Sequence, residues 1–211
     1  MNVNPAAKTV LCFGDSNTYG TFPDGSGNRY PADVRWTGRL QQELSDAYYV
    51  IEEGLGGRTT NLDHPRPEKP GRNGIMYFTP CLLSNRPMSA VVIMLGTNDC
   101  KNVYNRSAKE IAAALGEYCD IVKLTSPETK VVLVAPTPLR FVGQSDFYDE
   151  GSVRRSEDIS SEVKKLAQEK EVVFYDAGLV ATVGPDGTHW DEASHTVFAH
   201  EIAKTLKDLQ I

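Results

Sequence analysis

Five short apolar runs punctuate the chain, at residues 9–13, 48–52, 90–95, 130–134 and 171–175. The stretches "VVIML" and "VVLVA" are unbroken and rich in β-branched residues, the pattern of strands covered on both faces. Between the runs lie segments with a helical repeat. Residues 36–47 space Trp36, Leu40 and Leu44 at four, and residues 107–124 carry Ile111, Leu115, Tyr118, Ile121 and Val122 on one stripe. The charged segment 151–170 keeps Val153, Ile159, Val163 and Leu166 apolar, and residues 193–209 repeat Val197, Ile202, Leu206 and Leu209. Strands alternating with helices predict an α/β chain: a three-layer α/β/α sandwich with about five parallel strands. In such a sheet, ligands sit outside the carboxyl ends of the strands.

That rule gives the polar turns a meaning. The first strand breaks directly into "GDSNTYG", which leaves Ser16 just beyond its end. The second strand runs into "EGLGGRTTN" and the third into "GTND". One such turn is a common way to reverse a chain, and Ser16 by itself reads equally as a turn residue or helix cap. Three turns delivered to one sheet edge point to a site.

Composition narrows the classes. The chain has 211 residues, which suits a single domain over 1–211, with 40% hydrophobic and 24% charged residues. A net charge of −6 argues against a nucleic-acid surface and gives no reason to expect an anionic membrane as partner. No apolar run approaches the ~20 residues of a membrane helix, and the first residues lack the layout of a signal peptide, so the expected compartment is the cytoplasm. Cys12, Cys81, Cys100 and Cys119 have no CxxC spacing and read as free thiols.

A serine nucleophile needs a base in hydrogen-bond reach and a group that orients the base. Of the four histidines, His64 lies in a proline-rich loop, and His195 and His200 fall on different faces of the last helix. His189 stands in "PDGTHW", three residues after Asp186. A turn at Asp186–Gly187 can fold the carboxylate back to Nδ1 and leave Nε2 facing a serine; the bland alternative for Asp186 is turn chemistry alone. The backbone N–H groups of Ser16 and Gly57 and the side-chain amide of Asn98 can supply an oxyanion hole. Asp15 and Asp99 read as loop braces. Asp186, His189, Asp191 and His195 are suitable metal-ligand types, but no ligand framework surrounds them, and Asp191 and Glu192 read more simply as the opening of a helix.

Taken together, "FGDSNTYG", the glycine of "LGGRTTN", "LGTND" and "DGTH" resemble the four motif blocks of the SGNH (GDSL-type) hydrolases, across residues 13–190. The first block has GDSN where the family name has GDSL. The resemblance implies a flavodoxin-like SGNH hydrolase fold with Ser16, Asp186 and His189 as triad and Ser16, Gly57 and Asn98 around the oxyanion. It implies no cofactor and no metal, and a small-molecule ester as the partner. "VRWTGRL", "VIEEGLGGRTTNLDHP", "VVIMLGTNDCK" and "FYDAG" further resemble the arylesterase/acyltransferase subgroup. That likeness implies hydrolysis of small acyl esters, acyl transfer to alcohols, and a homo-oligomer as large as an octamer. It also places Arg35, Trp36, Arg58 and Asn61 near the entrance or a dimer contact. The aromatic segment 137–151 then covers the pocket or meets a neighbouring subunit. Tyr19, Phe22, Trp36, Tyr77 and Phe78 are candidates for a pocket wall, with core packing as the alternative. A carbohydrate O-acetyl esterase uses the same triad, and a non-catalytic binding module is the rival from another class. The first turn has neither the GxGxxG nor the P-loop pattern, which weighs against that module.

Overall fold

The computed structural model describes residues 2–143, 145 and 147–211. Strands β1 (Lys8–Gly14), β2 (Tyr48–Gly54), β3 (Ala90–Met94), β4 (Lys130–Ala135) and β5 (Val173–Asp176) form one sheet in the order β2-β1-β3-β4-β5. Every neighbouring pair is parallel. This is the doubly wound order in which the chain reverses direction beside β1, between β1 and β3.

Alternation along the strands sorts the core into two halves. Leu11, Phe13, Val91, Ile93, Val131 and Leu133 face one way, against α3 (Gly74–Ser84), α4 (Ala108–Thr125) and α5 (Glu150–Lys170). Val10, Cys12, Val92, Met94, Val132 and Val134 face the other way, against α2 (Trp36–Leu44) and α6 (Glu192–Asp208). Both faces are thus covered, as the unbroken apolar runs require. Capping fixes several helix starts. Ser107 and Glu110 form a reciprocal box at α4, Asp149 and Ser152 another at α5, and Asp191 accepts from Ser194 N at α6. Among the described residues no helix is long and apolar enough to cross a membrane.

The elements differ from the sequence expectation in four places. The helix beginning at Trp36 ends at Leu44, and residues 45–47 form a 3₁₀ turn. β5 starts at Val173 rather than residue 171, because Glu171 adopts φ 55° as the C-cap of α5. α3 was not anticipated: "GIMYFTPCLLS" is apolar almost throughout and holds Pro80, so no amphipathic repeat marks it. Last, a four-residue helix α1 (Ser16–Tyr19) follows β1 directly.

Candidate active site

The site is assembled at the carboxyl end of the sheet, beside the switch point. β1 is buried from Val10 to its end at Gly14. Asp15 then caps α1 by accepting from Asn17 N at 3.0 Å, so Ser16 is the first residue of that helix. The loop after β2 lies tightly against it. A Cβ on Gly54 would collide with the backbone of Tyr19, and Leu55 N donates to Gly14 O at 3.2 Å. Gly57 has φ 81°, a conformation that glycine adopts without strain.

His189 arrives from the other end of the chain. In the "PDGTH" turn, Asp186 Oδ1 accepts from Thr188 N and His189 N, both at 2.9 Å. Oδ2 lies 2.6 Å from His189 Nδ1, and His189 Nε2 lies 2.9 Å from Ser16 Oγ. Burial pushes the Asp186 carboxyl up, but the hydrogen bonds from the His189 ring, His189 N and Thr188 N outweigh it and hold it below the usual carboxylate range. The three side chains therefore form a continuous hydrogen-bonded line from carboxylate to hydroxyl. In it a neutral imidazole carries its proton on Nδ1 and offers Nε2 to the serine.

Around Ser16 the donors are poised but uncommitted. Neither Ser16 N–H nor Gly57 N–H has an acceptor among the described residues. Asn98 Nδ2 donates to Arg58 O at 3.0 Å, which ties the second and third loops together and leaves its other hydrogen available.

The supporting shell contains residues that the sequence did not single out. Asn17 Nδ2 donates to Thr188 O at 3.2 Å, and Asn17 Oδ1 accepts from Trp190 N at 3.0 Å. The side chain next to the serine thus clamps both residues flanking His189. Arg58, expected at the entrance or a contact, is buried instead: its guanidinium lies 4.1 Å from the Phe13 ring centroid and donates to Gly14 O at 2.9 Å and to Glu53 O. Asp99 accepts from Thr60 Oγ1 at 2.5 Å and Thr60 N at 3.0 Å, with Arg106 at 3.4 Å. Burial raises its pKa to about 6. Asp15 is likewise buried and its pKa raised by burial.

Other candidates lie elsewhere. Trp36 and Phe78 are fully buried core rather than pocket wall, in opposite halves of the core. Tyr77 is exposed on α3, Phe22 packs edge-on against Tyr30, and the Tyr19 ring lies beneath Arg29. Arg35 pairs with Glu52 at 2.8 Å, and Asn61 donates to Glu117 at 2.7 Å. His195 is fully buried beside Trp190 and accepts from Trp36 N at 3.3 Å through Nδ1; burial lowers its pKa to about 4. His200 is exposed and pairs with Glu43. From segment 137–151, Arg140 and Val142 lie over the Asp186 turn, with Arg140 N donating to Gly187 O at 2.9 Å. A cavity of about 80 Å³ lies between them, lined by Leu139, Phe141, Tyr148, Asp186 and Thr188. The segment's Gln144 and Asp146 fall outside the described residues.

Known proteins share this fold. The family model described as "GDSL-like Lipase/Acylhydrolase family" matches residues 12–200. Est24, a carbohydrate acetylesterase from Sinorhizobium meliloti, is 36% identical, with a TM-score of 0.90 over 96% of this chain and 99% of its own. The aryl esterase of M. smegmatis is also 36% identical, with a TM-score of 0.88 over 96% of this chain and 100% of its own. A carbohydrate acetylesterase family member from Sinorhizobium meliloti is 30% identical, with a TM-score of 0.88 over 95% and 98%. A search of curated proteins found no match. With the motif blocks standing at the ends of β1, β2 and β3 and in the turn before α6, and the family match spanning nearly the whole sheet, the chain belongs to the GDSL-like lipase/acylhydrolase family.

Proposed function

We propose that the protein cleaves small acyl esters through an acyl-enzyme on Ser16, with His189 as the base and Asp186 as its orienting acid. As a member of its family the chain is a carboxylic ester hydrolase. The observation that supports the residue roles is the line of contacts at 2.6 Å and 2.9 Å from Asp186 through His189 to Ser16 Oγ. As Oγ bonds to the acyl carbon, its proton moves to His189 Nε2 and the carbonyl electrons pass to oxygen. Ser16 N–H, Gly57 N–H and the second hydrogen of Asn98 Nδ2 receive that oxyanion. The carbonyl re-forms, the C–O bond to the alcohol breaks, and the His189 proton goes to the departing oxygen. Water then repeats the sequence on the acyl-enzyme and releases the acid. An alcohol in place of water yields a new ester, so acyl transfer belongs to the same proposal.

Two substrate classes follow from the relatives. The M. smegmatis relative is an aryl esterase and the Sinorhizobium meliloti relatives are carbohydrate acetylesterases, at similar fold likeness. The proposed chemistry would serve either class in this chain, and initial rates on phenyl acetate against acetylated sugars separate them. The finer expectations of assembly and location belong here as well. Met76, Tyr77 and Leu83 expose an apolar face on α3, which suits a homo-oligomer; light scattering at the 23.2 kDa monomer mass would contradict it. The four cysteines are free and buried, which suits a reducing cytoplasm.

The deciding experiment is Ser16→Ala and His189→Ala assayed on p-nitrophenyl acetate. Each should lower kcat by ~10³-fold or more, and the double variant little further, because the pair acts as a unit. A folded Ser16→Ala protein retaining a tenth of the activity would refute the proposal.

A further inference from the structure

The loop that carries Asn98 also buries a positive charge that has no direct partner among the described residues. Lys101 follows Asn98 in the same loop, and its N–H donates to Asn98 O. The residue is 7% exposed, yet its ammonium has no hydrogen bond or ion pair among the described residues. It lies 5.2 Å from the Phe147 ring centroid and 6.0 Å from that of Tyr148, which lines the cavity against Asp186. Lys69 approaches the same Phe147 ring at 5.9 Å. Arg72 reaches the second loop, where its Nε would be 3.6 Å from a Cβ placed on Gly57. That Nε is buried and has no partner. Arg29, Arg35, Arg39, Arg154, Lys165 and Lys170, by contrast, each meet a carboxylate, and Arg58, Arg86 and Arg140 end on backbone carbonyls.

A buried ammonium with no hydrogen-bond or ion-pair partner of its own is costly unless something compensates it. A lysine kept for structure would end on a carboxylate or a carbonyl, and this one does not. The cost is consistent with a ligand that completes the site. Such a ligand would be an anion, since Lys101, Lys69, Arg66 and Arg72 gather around His64, where burial and these four cations hold its pKa down, in a chain whose net charge is −6.

We propose that the preferred substrates are esters carrying an anionic group, a carboxylate or phosphate, received by Lys101, Lys69 and Arg72 beside the scissile bond. The inference rests on the esterase function proposed above. Lys101 has its pKa lowered to about 8, by burial first and then by Lys69, with Asp15 and Asp99 opposing and Arg66 adding to the effect. His64, Phe147 and Tyr148 complete its surroundings. Its charge is therefore present at neutral pH and lost above about pH 8.

The test compares kcat/KM for matched pairs of esters. On the alcohol side the pair is 4-acetoxybenzoate and its neutral methyl ester. On the acyl side it is monophenyl succinate and its methyl ester. In the wild-type protein at pH 7 and low salt, at least one pair should favour the anion about tenfold. That ratio should shrink in 0.5 M NaCl and above pH 8. Lys101→Met should reduce the ratio about tenfold, and Lys69→Gln, in a surface loop, should reduce it in the same direction. Ratios near or below one for both pairs overturn the inference, as does a ratio that neither substitution changes. If the neutral esters are cleaved and depend on Ser16, those outcomes overturn this inference alone. If no ester is cleaved, the esterase function falls with it.

Discussion

Asn17→Leu places the family-name residue beside the nucleophile, and the geometry predicts that it damages the enzyme. The side chain is buried and joins α1 to both residues flanking His189, through bonds of 3.2 Å to Thr188 O and 3.0 Å from Trp190 N. Leucine occupies similar space but makes neither bond. Two buried hydrogen bonds are worth about 2 kcal/mol net, and the stranded Trp190 N–H adds about 1–3 kcal/mol of destabilisation. Trp190 remains anchored by Nε1, which donates to Thr137 Oγ1 at 3.0 Å, so the turn loosens rather than detaches. If the lost 2 kcal/mol is felt in the placement of His189 against Ser16, kcat falls about 30-fold. KM should change little, since both Asn17 side-chain bonds go to the chain around His189. Asn17→Asp separates the two bonds: it keeps the acceptor for Trp190 N but sets oxygen against Thr188 O. Its kcat should fall between wild type and Asn17→Leu. The assay is steady-state hydrolysis of p-nitrophenyl acetate with urea unfolding on the same samples. A folded Asn17→Leu protein with kcat within twofold of wild type would refute the clamp.

Other consequences are simpler to state. Asp186→Asn should lower kcat by ~10²–10⁴-fold with the fold preserved, because the imidazole loses the partner that fixes its tautomer; a loss under tenfold would remove Asp186 from the line. For His195, the folded pKa of about 4 lies below the ordinary 6.5, so between these values the unfolded chain binds the extra proton. Stability is then full above about pH 6.5 and falls by about 3 kcal/mol as pH drops toward 4. His195→Phe should lower stability above about pH 6.5, through the lost bond from Trp36 N, but flatten that slope, so that the two profiles converge toward pH 4. Parallel wild-type and variant urea profiles would contradict it. His64→Ala and His200→Ala should leave p-nitrophenyl acetate kinetics within about threefold, which stopped assays on purified variants can check.

Much of this was legible in the chain because it is local. Strand runs such as "VVIML" need burial on both faces, and the order of strands and helices leaves few topologies. Asp186 and His189 sit three residues apart, so one turn decides their contact. What escaped was tertiary. Asn17 looks like an ordinary turn residue until the loop from residue 188 is folded beside it. Arg58 reads as surface charge until Phe13 and Gly14 surround it. Trp36 and Phe78 offered themselves as pocket wall, but nothing in sequence tells an aromatic core residue from a lining one. α3 hid because a helix with apolar residues on every side has no period to detect, and Met76, Tyr77 and Leu83 remain in solvent. Lys101 carried no signal, since its burial comes from Phe147 and Tyr148, more than 40 residues on.

Ser16 and His189 stand 173 residues apart, and all of β2, β3, β4 and β5 lies between them in the chain. Closing a loop of that length costs about 4–5 kcal/mol of chain entropy. The hydrogen bond between the two side chains, with both Asn17 bonds added, returns only about 3 kcal/mol. The reactive pair therefore cannot hold itself together; it is a passenger on a finished sheet. Early collapse and helix formation leave the serine without its base. During refolding, hydrolytic competence should trail helical circular dichroism and arrive only when α6 has docked against the β1 side of the sheet. Ester turnover is then a sensor of chain closure, reading the meeting of two segments that only the finished sheet brings together.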